Sequence, residues 1–474
     1  MKTFHFGFLA AFLLIGLSLA SCKKDIGEIS FPESMVDAYE IVAGQKLDIN
    51  FTVDNLQDGD LSVEAELDNA DYDIKLSDVE GNTFTVSVTA PDFIKEETVV
   101  NLKVTVNDFT HEERSELVRT IAITAKPDAK LYRIAQKANC LISESGKIVC
   151  FKAFKGNSED VVDFDSASLI WQDKQNLVSK IFKSDNEIVV YLADGVRGNA
   201  LVGAYKGSEL AWTYHVWVIN DNPGATLYEY TNGDGVKFSF MDRNLGALDA
   251  TAGGEVNGFF YYWGNRHPYA GGQTEIYDIQ GNKVEYTIEE TATICSEKEL
   301  DDIYEYSLSR PTTMFASNSN KTGNYEWLFI HKDAAKWEEK ADLWGGVSGN
   351  KSIYDPCPEG YKVPRYAAMD AFKTANTTQE KKYATEEAVN KNFIGWGCTN
   401  DGGSAFLPAS GDYNNAVKFE AFYNGENTFP TAYLWAADMQ VANFRATCLK
   451  GTPSSLAPAG QPMGYALNVR CVKE

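Results

Sequence analysis

The sequence predicts a multidomain protein in which two all-β sandwiches precede an α+β domain. As far as about residue 223, short segments of alternating apolar and polar residues are separated by turn-rich pieces, which is the pattern of strands in β-sandwiches. From about residue 224, glycine, asparagine, tryptophan and tyrosine become dense, and short helical patterns appear between long loops. A length of 474 residues accommodates about three domains of ~150 residues each.

Residues 1–21 have the three parts of a secretory signal peptide. Lys2 provides a positive start, residues 6–19 are almost entirely apolar, and two small residues precede Cys22. This ending matches the bacterial lipobox, in which the chain is cut before the cysteine and acyl chains such as palmitate are attached. Several acyl chains on one residue exceed the two signals that stable anchoring requires. We therefore expect a lipid anchor at Cys22 and a polar linker over residues 22–30; a signal peptide with a coincidental cysteine is the alternative.

The acidic composition disfavours anionic partners. The chain has 67 Asp and Glu against 43 Lys and Arg, for a formal net charge of −24. Such a surface repels nucleic acid, anionic lipid and sulfated polysaccharide unless a basic patch intervenes, and no run of Lys and Arg is longer than two. We expect no nucleic-acid partner.

The sequence contains no recognisable catalytic or metal-binding motif. The five histidines are scattered, the cysteines form no CxxC pair, and G-x-S-x-G, P-loop and H-E-x-x-H patterns do not occur. The paired carboxylates of a glycoside hydrolase stay possible in so acidic a chain, but no local pattern singles out a pair. The sequence therefore predicts a protein that is not an enzyme and that needs no metal or cofactor.

Residues 31–126 are predicted to form the first sandwich and residues 127–223 the second. In the first, period-two alternation places one set of apolar residues on the core face of the strands. These residues are Leu47, Ile49, Phe51, Val53, Phe84, Val86, Val88, Ala90, Val100, Leu102, Val104, Val106, Ile121, Ile123 and Ala125.

In the second sandwich, CLISESGKIVCF is predicted to form a hairpin with Cys140 and Cys150 on its two strands. Cysteines that face each other across such a pair can form a disulfide, whereas a bulge would spoil the register. His215 lies in the middle of a predicted strand among aromatic residues. We interpret it as a packed or hydrogen-bonded structural residue rather than a ligand.

Residues 224–474 carry helical patterns near 296–306, 334–341 and 366–373, and an ordered series of motifs. The motifs are MDRNLGAL (241–248), FFYYWGNRHPY (259–269), KSIYDPCPEGYKVP (351–364), FLPASGDYN (406–414), YLWAA (433–437) and GYALNVRCVKE (464–474). Over roughly residues 137–474 the chain resembles the Fibrobacter succinogenes major paralogous domain family, which is common in surface lipoproteins of gut Bacteroidota. Residues 31–126 resemble a generic immunoglobulin-like module.

The resemblance implies a C-type-lectin-like fold for residues 224–474, with the two ends of the domain on adjacent strands. It also implies that a Cys357–Cys471 disulfide clamps the last strand, although seven cysteines other than the lipidated one permit other pairings. Asp242 and Arg243 are interpreted as buried structural polar contacts. The calcium-binding tripeptides of sugar-binding lectins with this fold do not occur, and neither does the cysteine context of formylglycine-generating enzymes.

A recognition surface is expected between residues 395 and 450, where aromatic and amide side chains alternate with short apolar anchors. Four framework residues are predicted to be in the core: Trp396, Phe406, Pro408 and Trp435. The candidate ligand-binding residues are Tyr413, Asn414, Asn415, Tyr423, Asn424, Asn443 and Arg445. Aromatic rings stack on sugars and amides adapt their hydrogen bonds; merely solvated loops are the alternative.

These observations predict a lipid-anchored protein of the outer membrane that faces the cell surface and acts as a non-catalytic binding or adhesion protein. Its ligand would be a glycan or a surface protein of the host or of bacteria. An accessory glycan-binding subunit of a polysaccharide-uptake system is the alternative function, and an uncharacterised hydrolase is the third.

Overall fold

The computed structural model is mostly β-sheet. It describes residues 28–474 except 57–60, 109–114, 273, 318–326, 329–337, 374–376, 385–392, 401–402, 415, 420–430 and 441–444. The chain divides into two compact units, one that ends at Ala129 and one that runs from Lys130 to Glu474. Within the described part of the chain, no helix has the length and apolar character needed to cross a membrane.

The first unit is a sandwich of two sheets. Its strands are β1 (Ala38–Val42), β2 (Lys46–Thr52), β3 (Leu61–Leu67), β4 (Asp73–Leu76), β5 (Thr83–Thr89), β6 (Thr98–Asp108) and β7 (Ser115–Lys126). One sheet has the order β1-β7-β6-β3 and the other β2-β5-β4. Strand β1 runs parallel to β7, and the other neighbours are antiparallel.

The core of the first unit lies on the faces that the alternation predicts. Phe84 and Val86 of β5 are buried, as is Val104 of β6. The rings of Phe51 and Phe84 stack with their centroids 4.9 Å apart. Leu47 differs from the prediction, because it is only partly buried at the margin of this core. Full burial of such side chains stabilises the fold by about 1.5–3 kcal/mol each, which explains why period-two alternation locates these strands.

The second unit begins with eight strands that form a second sandwich. They are β8 (Leu131–Ile134), β9 (Cys140–Ser143), β10 (Ile148–Lys152), β11 (Ser166–Gln172), β12 (Val178–Ser184), β13 (Glu187–Leu192), β14 (Gly198–Lys206) and β15 (Glu209–Val218).

The rest of the second unit has strands and short helices among its described residues. The strands are β16 (Tyr228–Thr231), β17 (Lys237–Phe240), β18 (Phe260–Tyr262), β19 (Ile276–Tyr277), β20 (Lys283–Val284), β21 (Thr287–Glu290), β22 (Thr313–Ala316), β23 (Tyr361–Lys362), β24 (Thr378–Tyr383), β25 (Phe393–Asn400), β26 (Gly403–Pro408), β27 (Ala432–Gln440), β28 (Arg445–Gly451), β29 (Leu456–Pro462), β30 (Ala466–Asn468) and β31 (Val472–Lys473). The helices are α1 (Thr291–Lys298), α2 (Tyr304–Leu308) and α3 (Tyr366–Asp370), and a 3₁₀ turn follows at Ala371–Lys373.

One sheet of the second sandwich is shared with the C-terminal segment. The sheet β12-β13-β10-β8 belongs to the sandwich alone, but the facing sheet has the order β20-β19-β11-β14-β15-β9. Strands β19 and β20 come from beyond residue 224, so the predicted boundary at 223/224 does not separate two compact units. The remaining sheets are β16-β17-β31-β23, β18-β30-β27-β28-β29, β24-β25-β26 and β21-β22.

The shared sheet is covered on both faces. Tyr214 and Val216 of β15 point into the core between the two sandwich sheets, whereas Trp217 and Leu201 join the large core of the C-terminal segment. His215 is buried among them, with its Nε2 atom 2.8 Å from Oδ1 of an asparagine on β14. Its interpretation as a structural residue is confirmed.

The predicted hairpin between Cys140 and Cys150 is wrong. Strand β9 pairs in parallel with β15, whereas β10 pairs with β13 and β8 in the opposite sheet. Leu141 and Val149 fill the same core from opposite sides, so the turn between the strands crosses from one layer to the other. The two cysteines therefore do not face each other across a strand pair, and the structure contains no bridge between them.

The end of the chain is fastened next to the start of the C-terminal segment. Strand β31 pairs with β17, and β23 pairs with the other edge of β31. A disulfide joins Cys357 to Cys471, which is the pair that the family resemblance implied. Beside it, the buried Lys351 donates three hydrogen bonds, to the carbonyl oxygens of Cys357, Pro358 and Tyr361.

The sequence located the helices only in part. The continuous helix expected near residues 296–306 is broken, because Glu299 adopts φ +53° at the end of α1. The helix expected near residues 366–373 is confirmed as α3 and the 3₁₀ turn. In the pattern at 334–341, residues 334–337 lie outside the described residues and residues 338–340 are helical. The four framework residues predicted to be in the core are buried.

Candidate ligand-binding cleft

The second unit contains a polar cleft of about 750 Å³. Its walls come from the loop after β11 (173–175), Glu255, the segment before and through β19 (270–272 and 274–277), the segment from β20 (283–286), and Tyr413. We call it the tyrosine cleft, because Tyr277, Tyr286 and Tyr413 all line it. This volume lies within the range of about 300–1,000 Å³ that is typical of small-molecule sites.

A tight hairpin forms one side of the tyrosine cleft. The Asp278 side chain accepts hydrogen bonds from the backbone N–H groups of Gln280 and Asn282, and Gly281 adopts φ +84°, which only glycine accepts readily. Tyr277 pairs with Gln172 of β11, and the amide of Gln172 donates to the Asp278 carbonyl at 3.0 Å. The hairpin is thereby fixed to the edge of the shared sheet.

Two tyrosine hydroxyls hold Ala270 in the wall of the cleft. The Tyr413 hydroxyl donates to the Ala270 carbonyl oxygen at 2.7 Å, and the Ala270 N–H donates to the Tyr286 hydroxyl oxygen at 2.9 Å. Tyr413 is only 7% exposed, and burial raises its pKa to about 12. The hydroxyl therefore stays protonated and able to donate this hydrogen bond at neutral pH.

Two glycines permit close packing in this wall. Phe419 stacks edge-on against Phe260, at 5.5 Å between ring centroids, and lies directly over Gly271 and Gly272. A Cβ atom at Gly272 would be 2.7 Å from Cδ1 of Phe419, well inside van der Waals contact. The Gly-Gly pair is thus required for Phe419 to pack here.

The lysines of the tyrosine cleft are paired with carboxylates. Lys174 contacts Glu255 at 2.5 Å, and Lys283 contacts Glu285 at 3.0 Å and Glu275 at 3.5 Å. Exposed pairs of this kind contribute little to stability. Their importance here is that they determine which charges a ligand meets.

The hydrogen bonds in the cleft shift the ionisation of its charged groups. The Tyr277 hydroxyl donates to Glu275 at 2.7 Å, and this bond, together with Lys283, lowers the pKa of Glu275. The hydrogen bond to Glu285 and its charge raise the pKa of Lys283. Both shifts favour the charged forms, so the groups remain ionised near neutral pH.

A polar network connects the cleft to the shared sheet. The half-buried Asp173 accepts hydrogen bonds from the backbone N–H and the side-chain amide of Asn199, at 2.6 and 2.8 Å. Desolvation nevertheless raises the pKa of Asp173 to about 6. The oxygen of the same Asn199 amide faces His215, whose pKa is lowered by burial to about 3, so this histidine is neutral.

The structure places three of the predicted ligand-binding residues. Tyr413 lines the cleft, but its hydroxyl is bound to Ala270. The Asn414 side-chain oxygen accepts the N–H groups of Ala416 and Lys418, at 2.9 and 3.1 Å, and closes a tight turn. Arg445 is exposed at the start of β28 and donates to a backbone carbonyl of β29; it is not among the described residues that line the cleft.

Five other predicted site residues are not among the described residues. Asn415, Tyr423, Asn424 and Asn443 lie outside the described residues, as does the lipidation site Cys22.

Sequence reasoning missed Tyr277, Tyr286 and the paired charges around Lys283. They lie in EIYDIQGNKVEY, where alternating residues flank the turn signal QGN. That pattern is typical of a hairpin, and it is the signal that could have located them. Among the described residues, no group of three or more His, Cys, Asp and Glu is placed to hold a metal ion.

No protein-family model and no curated protein sequence matches the chain. Among solved structures it is similar to the titin M3 domain, with 12% identity over 21% of this chain and 96% of that one and a TM-score of 0.16. It is also similar to the Ig1–2 module of the Drosophila receptor protein tyrosine phosphatase DLAR (8% identity, 40% and 99% covered, TM-score 0.17). A third is the endo-fucoidan hydrolase MfFcnA4 from glycoside hydrolase family 107 (11%, 40% and 28% covered, TM-score 0.23). These TM-scores are too low to carry a conclusion about activity or partners.

Proposed function

We propose that this protein is a non-catalytic binding protein that holds a glycan or protein ligand in the tyrosine cleft. The observation that carries the proposal is that tyrosine rings and hydrogen-bonding groups line a cleft whose backbone is held in place by hydrogen bonds. The hairpin is attached to the shared sheet, and Ala270 is held from both sides. A site that is already ordered loses little conformational entropy when its ligand binds, which favours affinity.

The proposal includes a C-type-lectin-like fold for residues 224–474. Its support is the closure of this segment, in which the early strand β17 lies beside the last strand β31 and the disulfide between Cys357 and Cys471 secures the end. The buried contacts of Arg243 with Asp242 and with Asp221 fit the structural role predicted for that motif.

The anchor is proposed at Cys22, with the protein on the outer membrane and facing the cell surface. Its support is the signal peptide and lipobox of the sequence. A Cys22→Ser variant should leave the membrane fraction and lose labelling by radioactive palmitate, whereas Cys398→Ala should retain both. Protease treatment of intact cells should remove the wild-type protein. A protein that stays membrane-bound without Cys22 would contradict the anchor. A wild-type protein that resists protease on intact cells would contradict the surface location.

The binding function is tested with the chain from residue 23 onward, probed on arrays of glycans and of host and bacterial surface proteins. We expect specific binding that Tyr277→Ala weakens about tenfold, which corresponds to ~1.4 kcal/mol. Tyr132→Ala is the matched control, because Tyr132 is a 46% exposed tyrosine of the same unit that does not line the cleft. If neither substitution weakens binding, the ligand binds outside the tyrosine cleft.

The alternative function, an accessory subunit of a polysaccharide-uptake system, uses the same cleft. The polar cleft walls, which suit hydroxyl-rich ligands, favour it. Genes for transporters and glycosidases beside this one, and impaired growth on one polysaccharide after deletion, would distinguish it from adhesion.

A further inference from the structure

Among the described residues that line the tyrosine cleft, each lysine already has a carboxylate partner. Its lysines are Lys174 and Lys283, and each already contacts a carboxylate of the cleft. Lys283 lies between two of them, Glu275 and Glu285. A sulfate or uronate group on a ligand that approached either lysine would therefore lie close to a carboxylate of like charge, which repels it.

The overall charge of the cleft also disfavours an anionic ligand. The described residues that line it include four carboxylates and two lysines, which leaves two net negative charges when all these groups are ionised. The shifts in the pKa of Glu275 and of Lys283 favour their charged forms. Since the whole chain is also strongly acidic, an anionic ligand is repelled both at a distance and at contact.

A neutral, hydroxyl-rich ligand meets none of these penalties. Carboxylate oxygens that contact a lysine retain further lone pairs for hydroxyl donors, and hydrogen bonds to ionised groups are stronger than those between neutral groups. Tyr277 and Tyr286 are partly exposed in the cleft, and a tyrosine ring provides apolar area against which a sugar ring can stack.

We infer that the tyrosine cleft selects uncharged oligosaccharides over anionic ones, and that the two carboxylates around Lys283 determine this selectivity. The inference rests on the proposed binding function and specifies its ligand class. Glu275 and Glu285 act as counter-ions of Lys283, and they repel the acidic group of an anionic sugar that approaches this lysine.

The test compares size-matched neutral, uronic, sulfated and amino oligosaccharides, titrated calorimetrically into the chain from residue 23 onward. Neutral sugars should bind at least tenfold more tightly than uronic or sulfated ones at low salt. Addition of 0.5 M NaCl should reduce this difference in affinity. In Glu285→Gln, the ratio of the affinity for neutral sugars to that for anionic sugars should fall at least tenfold. In Glu275→Gln/Glu285→Gln, this ratio should fall further. Glu229→Gln is the control, because Glu229 also contacts a lysine but lies outside the cleft lining.

Several outcomes would overturn the inference. Anionic sugars that bind as tightly as neutral ones would contradict it, as would a preference for amino sugars or a ratio that the double variant leaves unchanged. If a protein ligand binds in a manner that depends on Tyr277 while no sugar binds, the inference is wrong and the proposed function stands. If neither sugars nor array proteins bind in that manner, the proposed function fails as well.

Discussion

Tyr413 and Tyr286 hold a single residue, Ala270, between their hydroxyl groups. One hydroxyl donates to its carbonyl oxygen, and the other accepts its N–H. The backbone polar groups of Ala270 therefore find their partners in side chains rather than in a strand ladder. The tyrosines place the Gly271-Gly272 segment against Phe419, and the shape of the cleft depends on them.

Replacement of Tyr413 by phenylalanine should weaken both the fold and the site. The substitution keeps the ring but leaves the buried Ala270 carbonyl without its donor, which costs about 1–3 kcal/mol. Urea denaturation should report this loss in the free energy of unfolding, together with weaker ligand binding. Tyr132→Phe is the control, because that tyrosine is largely exposed; equal stability of the two variants would show that the Tyr413 hydroxyl contributes nothing.

A methyl group at Gly272 should distort the cleft wall. Gly272→Ala places a Cβ atom 2.7 Å from Phe419, and overpacking of this kind typically costs about 1–3 kcal/mol. Ligand affinity should fall because Phe419 has to move. Gly233→Ala provides the comparison, since its new methyl group would have an ordinary 3.7 Å neighbour. A crystal structure of Gly272→Ala with Phe419 in place would refute the prediction.

Loss of the Cys357–Cys471 disulfide should destabilise the second unit. Removal of a native bridge typically costs about 2–5 kcal/mol, and here it releases the strand that pairs with both β17 and β23. Cys357→Ala/Cys471→Ala should lower the free energy of unfolding and abolish its sensitivity to dithiothreitol. Cys448→Ala, which removes a buried thiol outside the bridge, should keep that sensitivity.

Asp173 should make stability depend on pH. Its folded-state pKa of about 6 is higher than the unfolded value of ~3.9. The folded protein therefore binds the proton more tightly, and the stabilisation from this group is present below pH ~4 and is lost as the pH rises through 6. Relative to wild type, Asp173→Asn should gain up to about 2–3 kcal/mol between pH 4 and 7. A stability difference that stays constant over this range would contradict the assignment.

The first sandwich could be predicted from sequence because each strand has one buried and one solvated face. That condition fails in the shared sheet, where β14 and β15 are buried on both sides. The pattern of apolar and polar residues then does not distinguish Tyr214 from Trp217, although the two side chains belong to different cores. The same ambiguity led to the incorrect hairpin at Cys140 and Cys150, because a turn between layers has the same composition as a turn between neighbouring strands.

The cleft itself could be predicted only in part. Tyr413 was identified from its aromatic and amide-rich surroundings, but its partner Tyr286 lies far away in sequence. Only the fold brings Ala270 between them. The paired charges around Lys283 were missed for a related reason: an isolated Lys among glutamates is common in an acidic chain, and its role depends on the hairpin that surrounds it.

The shared sheet also determines which part of this chain can be exchanged between proteins. A recombination event at residue 223 would separate β19 and β20 from the sheet that they extend, and would strip Trp171 and Trp217 of the core that covers them. A break near residue 129 separates two units that each retain their own sheets. An exchange of the first sandwich at that point would therefore leave both sets of sheets intact, whereas the second sandwich and the segment that follows it would have to be exchanged together.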